Sequence, residues 1–211
     1  MSERIELHEP FSDAAQQHEA GMLGMYVFLG TEMMLFGGVF AVIFVTRALH
    51  PAEFVAASQK LHVFIGALNT GVLLTSSFAV ALAVAFARAA RARLAAGLLV
   101  AAAGLGLVFL GLKAFEYTLE IHEGLLPLFS RPANFSGPVE HLFMNLYLVA
   151  TSLHAIHMTI GVVLLTGLAW RIARGGVPLP GRVALVENSG LYWHFVDVIW
   201  VFLYPALYLA R

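Results

Sequence analysis

The stretch MLGMYVFLGTEMMLFGGVFAVIFVT, Met22 to Thr46, decides the fold. A hydrocarbon core of about 30 Å is crossed by about 20 apolar residues in a helix. This run meets that length, and it carries one charged residue, Glu32, inside it. Four further runs read the same way, about Leu61 to Phe86, Leu94 to Phe115, Leu142 to Trp170 and Leu185 to Leu209. Backbone exposed to lipid must satisfy its own hydrogen bonds, so helices are expected, and the strand alternation of an outer-membrane barrel is absent. The fold class is therefore all-α: a polytopic membrane protein with a bundle of five transmembrane helices at 22–211, preceded by a polar tail at 1–21.

Composition agrees with this reading. The 211 residues are 60% hydrophobic and 12% charged, where soluble domains carry about a quarter charged residues. With no cysteine, disulfides, thiolate metal sites and cysteine nucleophiles are excluded. Five spans put the termini on opposite sides. Arg4, Arg88, Arg91, Arg93, Arg171, Arg174 and Arg182 then share one side, against Arg47, Lys60, Arg131 and Arg211 on the other. By the bias of Lys and Arg toward the cytoplasm, the N-terminus is cytoplasmic and the C-terminus outside. The acidic opening MSERIELHEPFSDAAQQHEA lacks the basic region of a secretory signal, so no cleaved signal is expected. The segment HEGLLPLFSRPANFSGPVEH, His122 to His141, is rich in turn residues and reads as an ordered external turn region. The spans differ in polar content, which argues against an inverted-repeat transporter.

Ionisable groups within a span are costly and are functional candidates by default. Glu32 has Phe28, Leu29, Leu35 and Phe36 at helical spacing, so its own helix offers no basic partner. Desolvation disfavours a charged carboxyl, which makes Glu32 a buried, largely protonated group that either exchanges hydrogen bonds across a helix interface or carries protons. His62, Asn69 and Ser76 recur every seven residues and share a helical face. His154 and His157 stand three apart, as do His194 and Asp197. Two imidazoles on one helix fall short of a metal set, and the usual zinc and haem motifs are missing. Hydrogen-bonded packing is the favoured reading of these groups, with proton transfer by His194 and Asp197 as the alternative. Lys113 and Glu116 have the spacing of a local ion pair that anchors the end of the third span.

Four motifs, in order, resemble one family. LGTEMMLFGG (Leu29 to Gly38) is similar to its helix with a buried glutamate, FEYTLEIHEG (Phe115 to Gly124) to the end of a following span, TSLHAIHMTIG (Thr151 to Gly161) to its paired-histidine span, and YWHFVDVIWVFLY (Tyr192 to Tyr204) to its last helix. On these residues the chain resembles cytochrome c oxidase subunit III, in the five-helix bacterial form that lacks two leading helices of the seven-span form.

The resemblance implies a non-redox accessory core subunit of a proton-pumping haem-copper terminal oxidase, which reduces O2 to water and supports the stability and proton uptake of subunit I. It implies no catalytic residue and no metal ligand in this chain, with haem and copper held by partner subunits and phospholipid bound at its surface. Its partners would be subunit I, subunit II and small subunits, with no nucleic acid, in the bacterial inner membrane. Glu32 corresponds to a family carboxyl known through carbodiimide modification. His62, Asn69, Glu116, His154, His157, His194 and Asp197 would make interhelical polar contacts. Arg88, Arg91, Arg93, Arg171 and Arg174 form a basic rim suited to anionic lipid headgroups, with a solvated rim that only sets topology as the simpler reading. Accessory subunits of quinol oxidases or nitric oxide reductases, and an autonomous proton pathway, are the competing functions.

Overall fold

A computed structural model describes residues 14–125 and 137–210. The basic residues Arg4, Arg131 and Arg211, and most of the predicted external turn region, lie outside the described residues. Six helices follow in order: α1 (Ala14–Leu49), α2 (Pro51–Ser58), α3 (Val63–Arg88), α4 (Ala92–His122), α5 (Pro138–Ala173) and α6 (Val183–Tyr208). No strand occurs among the described residues. All except α2 are long and apolar enough to cross a membrane. The shortest spans, α3 and α6, have 26 residues each, or about 39 Å at 1.5 Å per residue, so every span exceeds the hydrocarbon core.

The bundle departs from five equivalent helices. α3, α4, α5 and α6 form a ring in which α3 packs along α4, α4 along α5, α5 along α6 and α6 back on α3. α1 lies outside this ring against α5 and α6. Its buried seam is thin, with Phe36, Ile43 and Thr46 at helical spacing and Leu29, Val39 and Phe40 packed beside them. The remaining surface of α1, including Leu23, Val27, Met33, Met34 and Phe44, is exposed and apolar, as a face turned to lipid or to another membrane chain must be.

α2 is the element that hydropathy does not announce. Pro51 starts it, where the missing N–H costs nothing, and its eight residues bury Phe54, Ala57 and Ser58. Phe54 meets Phe143 edge-on at 4.7 Å, and the Ser58 hydroxyl donates to the Leu207 carbonyl at 2.6 Å. Lys60 follows and pairs with Glu140 at 2.6 Å. The α1–α3 connection is thereby tied to the ends of α5 and α6.

Two close approaches set the ring's centre. The Trp193 ring of α6 lies against Gly106 of α4 and Gly161 of α5, where an added Cβ would stand 2.6 Å and 2.9 Å from ring carbons. Only glycine at these positions lets a fully buried indole fill the centre. Trp193 Nε1 donates to Ser76 Oγ at 3.0 Å, and Trp200 Nε1 donates to Thr70 Oγ1 at 3.1 Å, so α6 is bonded to α3 at two levels. Gly175, at φ +75°, supplies the left-handed residue that ends α5.

Candidate functional site: polar centres within the spans

Two polar centres occupy the spans. The first joins α1 to α5. His157 Nε2 lies 2.8 Å from Glu32 Oε2, and His157 Nδ1 lies 2.8 Å from the Leu153 carbonyl. A carbonyl can only accept, so Nδ1 carries a hydrogen, and a single further proton resides between Nε2 and the carboxyl. Whether that proton sits on nitrogen or oxygen, the pair has no net charge. This answers the cost of placing a carboxyl in the span: its partner is the imidazole of another helix. Phe36 packs edge-on to the His157 ring at 5.2 Å, and the Tyr192 hydroxyl donates to the His157 carbonyl at 3.0 Å. Both side chains keep some exposure, 17% for Glu32 and 11% for His157. The Glu32 side chain is thus largely, though not fully, enclosed.

The second centre is a buried network on α4, α5 and α6. Lys113 Nζ donates to Glu116 Oε2 at 2.9 Å, to the Tyr147 hydroxyl at 2.9 Å and to the Tyr208 hydroxyl at 2.6 Å. These three bonds use every N–H of the ammonium. Tyr147 in turn donates to Glu120 Oε1 at 2.6 Å, and Tyr208 donates to Glu116 Oε1 at 2.9 Å. The anchoring role expected of Lys113 at the membrane surface is overturned, because the lysine is only 2% exposed and points into the ring. The rings of Tyr117 and Trp200 lie 5.1 Å and 5.4 Å from the ammonium by their centroids, a cation–π contribution beside the two tyrosine hydroxyls.

The other candidate residues fall into place around these centres. His154 is fully buried between Phe109 and Trp200, with ring centroids 5.3 Å and 5.1 Å away, and neither ring nitrogen has a hydrogen-bond partner among the described residues. Asn69 is likewise buried and without such a partner. His62 caps the start of α3, where the second span is expected to begin, and stands 3.5 Å from Glu123 beyond the end of α4. His194 Nδ1 contacts the Ser77 hydroxyl, whereas both carboxyl oxygens of Asp197 are buried with no hydrogen-bond partner among the described residues. His194 is thus bonded to α3 through a serine that the sequence did not single out. Of the basic rim, Arg88 pairs with Glu187 at 2.8 Å, Arg91 lies over Phe86 and Arg174 over Trp170, while Arg93 and Arg171 are exposed.

Among the described residues no three His, Cys, Asp or Glu side chains converge as a metal site. His157 is engaged by Glu32 and Leu153, and His154 is enclosed by aromatic rings. The donor set does not fit a haem or a copper ion.

The family description of cytochrome c oxidase subunit III matches residues 12–210 of this chain. The chain belongs to the cytochrome c oxidase subunit III family. Among its relatives, a cytochrome c oxidase subunit 3 of Thermostichus vulcanus is 31% identical over 198 residues, covering 93% of this chain and 91% of the relative. A quinol oxidase subunit 3 of Bacillus subtilis is 30% identical over 200 residues, covering 95% and 92%. A probable quinol oxidase subunit 3 of Staphylococcus saprophyticus is 26% identical over 207 residues, covering 96% of each chain. Members of the family thus carry both oxidase names. The match takes in every span and both polar centres described above.

Proposed function

We propose that this chain is the non-redox third subunit of a haem-copper terminal oxidase, docked in the membrane against the subunit that carries haem and copper. The observation that carries this reading is the family match over residues 12–210, which spans all five membrane helices. A donor set that does not fit haem or copper supports placing the redox centres elsewhere. The exposed apolar surface of α1 gives the chain ample area for a membrane partner or for phospholipid.

The contribution to catalysis is indirect. The Glu32 and His157 pair joins α1 to α5 at 2.8 Å, which supports a role in the stability and proton environment of the partner subunit. Orientation follows from charge. Arg88, Arg91, Arg93, Arg171, Arg174 and Arg182 lie at one end of the bundle, which supports a cytoplasmic position for that end and for the N-terminus of α1 in a bacterial inner membrane. The same rim offers cations to anionic headgroups.

Affinity purification through a tag on this chain tests the reading. The expected preparation contains haem, consumes O2 and is depleted of neither when the chain's own histidines are replaced. Co-purification with a nitric oxide reductase, or recovery of the chain alone with stoichiometric haem, overturns it. A quinol oxidase is the second reading, favoured by the relatives bearing that name. Oxidation of quinol, and not of cytochrome c, by the purified complex selects it.

A further inference from the structure

The Lys113 network has more carboxyl groups than cations. Glu116 sits in direct ion-pair contact with Lys113 at 2.9 Å and also accepts from Tyr208. Glu120 is different. It accepts from Tyr147 through Oε1, while Oε2 is buried and has no partner among the described residues. The groups around Glu120 are Tyr147 from α5, Tyr208 from α6, and Lys113, Glu116 and Glu123 from its own helix. One ammonium therefore stands against two enclosed carboxyls. Lys113 neutralises Glu116, and a second ionised carboxyl would be an uncompensated charge in a wholly buried position.

We propose that Glu120 is a proton-binding site: it holds one exchangeable proton on Oε2, in addition to the proton shared by Glu32 and His157. The hydroxyl of the acid replaces the missing counter-charge. Glu123, three residues beyond Glu120 and just after the end of α4, is exposed and stands 3.5 Å from His62. The exchangeable proton is carried by Glu120 itself. Its uptake converts the carboxylate to the acid, and its release restores the carboxylate. Deeper in the same region lies His154, which is unpartnered and within the electrostatic reach of both Lys113 and His157. The two polar centres thus flank a buried imidazole.

Difference infrared spectroscopy of the intact purified complex tests the site through the carboxylic C=O stretch, recorded in H2O and D2O. Glu120→Gln keeps the acceptor for Tyr147 and is expected to remove one carboxylic acid component relative to the parent. That component shifts after equilibration in D2O. Glu116→Gln is expected to remove the same component, because Lys113 then takes Glu120 as its counter-ion. Lys113→Met leaves two carboxyls with no cation, and the component from this network rises about twofold. Glu120→Asp, which preserves a carboxyl if the amide variant fails to assemble, is expected to move the band without abolishing it. A Glu120→Gln spectrum superimposable on the parent in this region overturns the proposal, as does a Glu120→Asp band at the parent frequency or a component insensitive to D2O. A purely structural ion cluster alters yield and leaves the acid band unmoved.

Discussion

His157 on α5 and Glu32 on α1 meet at 2.8 Å, 125 residues apart in sequence, and bond the otherwise thinly packed α1 to the ring of four. Their pairing has a measurable energy. Interhelical hydrogen bonds in membranes contribute about 0.6 to 1.7 kcal/mol by double-mutant cycles. A cycle of Glu32→Leu, His157→Leu and the double variant, followed by unfolding in detergent, is expected to give coupling in that range. Glu32→Gln retains a polar partner for Nε2, so complex yield close to the parent's is expected for it. Zero coupling in the cycle would remove the contact from the energetics of α1.

The Trp193 seat predicts a steep response to one methyl group. Gly106→Ala and Gly161→Ala place Cβ 2.6 Å and 2.9 Å from the buried indole, an overpacking that costs about 1 to 3 kcal/mol. Gly104→Ala on the same helix meets nothing within 4 Å. Thermal unfolding of the purified complex is expected to fall for the first two variants and to hold or rise for the third.

A favourable substitution lies in the α3–α4 turn. Ala90 has φ +57° and is exposed, a left-handed conformation that costs a residue bearing Cβ about 1 to 2 kcal/mol. Ala90→Gly relieves that cost and gives back part of it through greater freedom of the unfolded chain. The expected net change is a gain of a few tenths to about 1 kcal/mol, read as a higher unfolding midpoint.

Topology can be tested against a clean background, since the chain has no cysteine. Gly176→Cys, between α5 and α6, is expected to react with an impermeant maleimide only in inverted vesicles. Gln59→Cys, between α2 and α3, is expected to react in intact cells. The opposite pattern would reverse the orientation drawn from the arginine rim.

The five spans were legible because lipid as solvent demands long apolar runs, and the runs ending near Arg88 and Trp170 are unmistakable. α2 was not, since PAEFVAAS is too short for a hydropathy signal and is held by Phe143, Leu207 and the Lys60–Glu140 pair from distant sequence. The isolation of Glu32 on its own helix was readable, whereas its partner required knowing which faces of α1 and α5 meet. Lys113 was misread as a surface anchor. The spacing of Lys113, Glu116 and Glu120 puts all three on one helical face, a sign that they share an enclosure when that face is the packed one. Tyr147 and Tyr208 carried no sequence signal of their own, because a tyrosine in an apolar helix is as often a packing residue as a donor.

The thin seam of α1 bears on biogenesis. α1 precedes the helices against which it rests, and its principal contacts, on α5 and α6, lie at the far end of the chain. In the two-stage description, each span inserts independently before side-by-side association. α1 is therefore threaded into the bilayer well before the helices that fasten it. Until His157 emerges, the carboxyl of Glu32 waits in lipid without its imidazole, so maturation of this subunit runs from its C-terminal half back to its beginning.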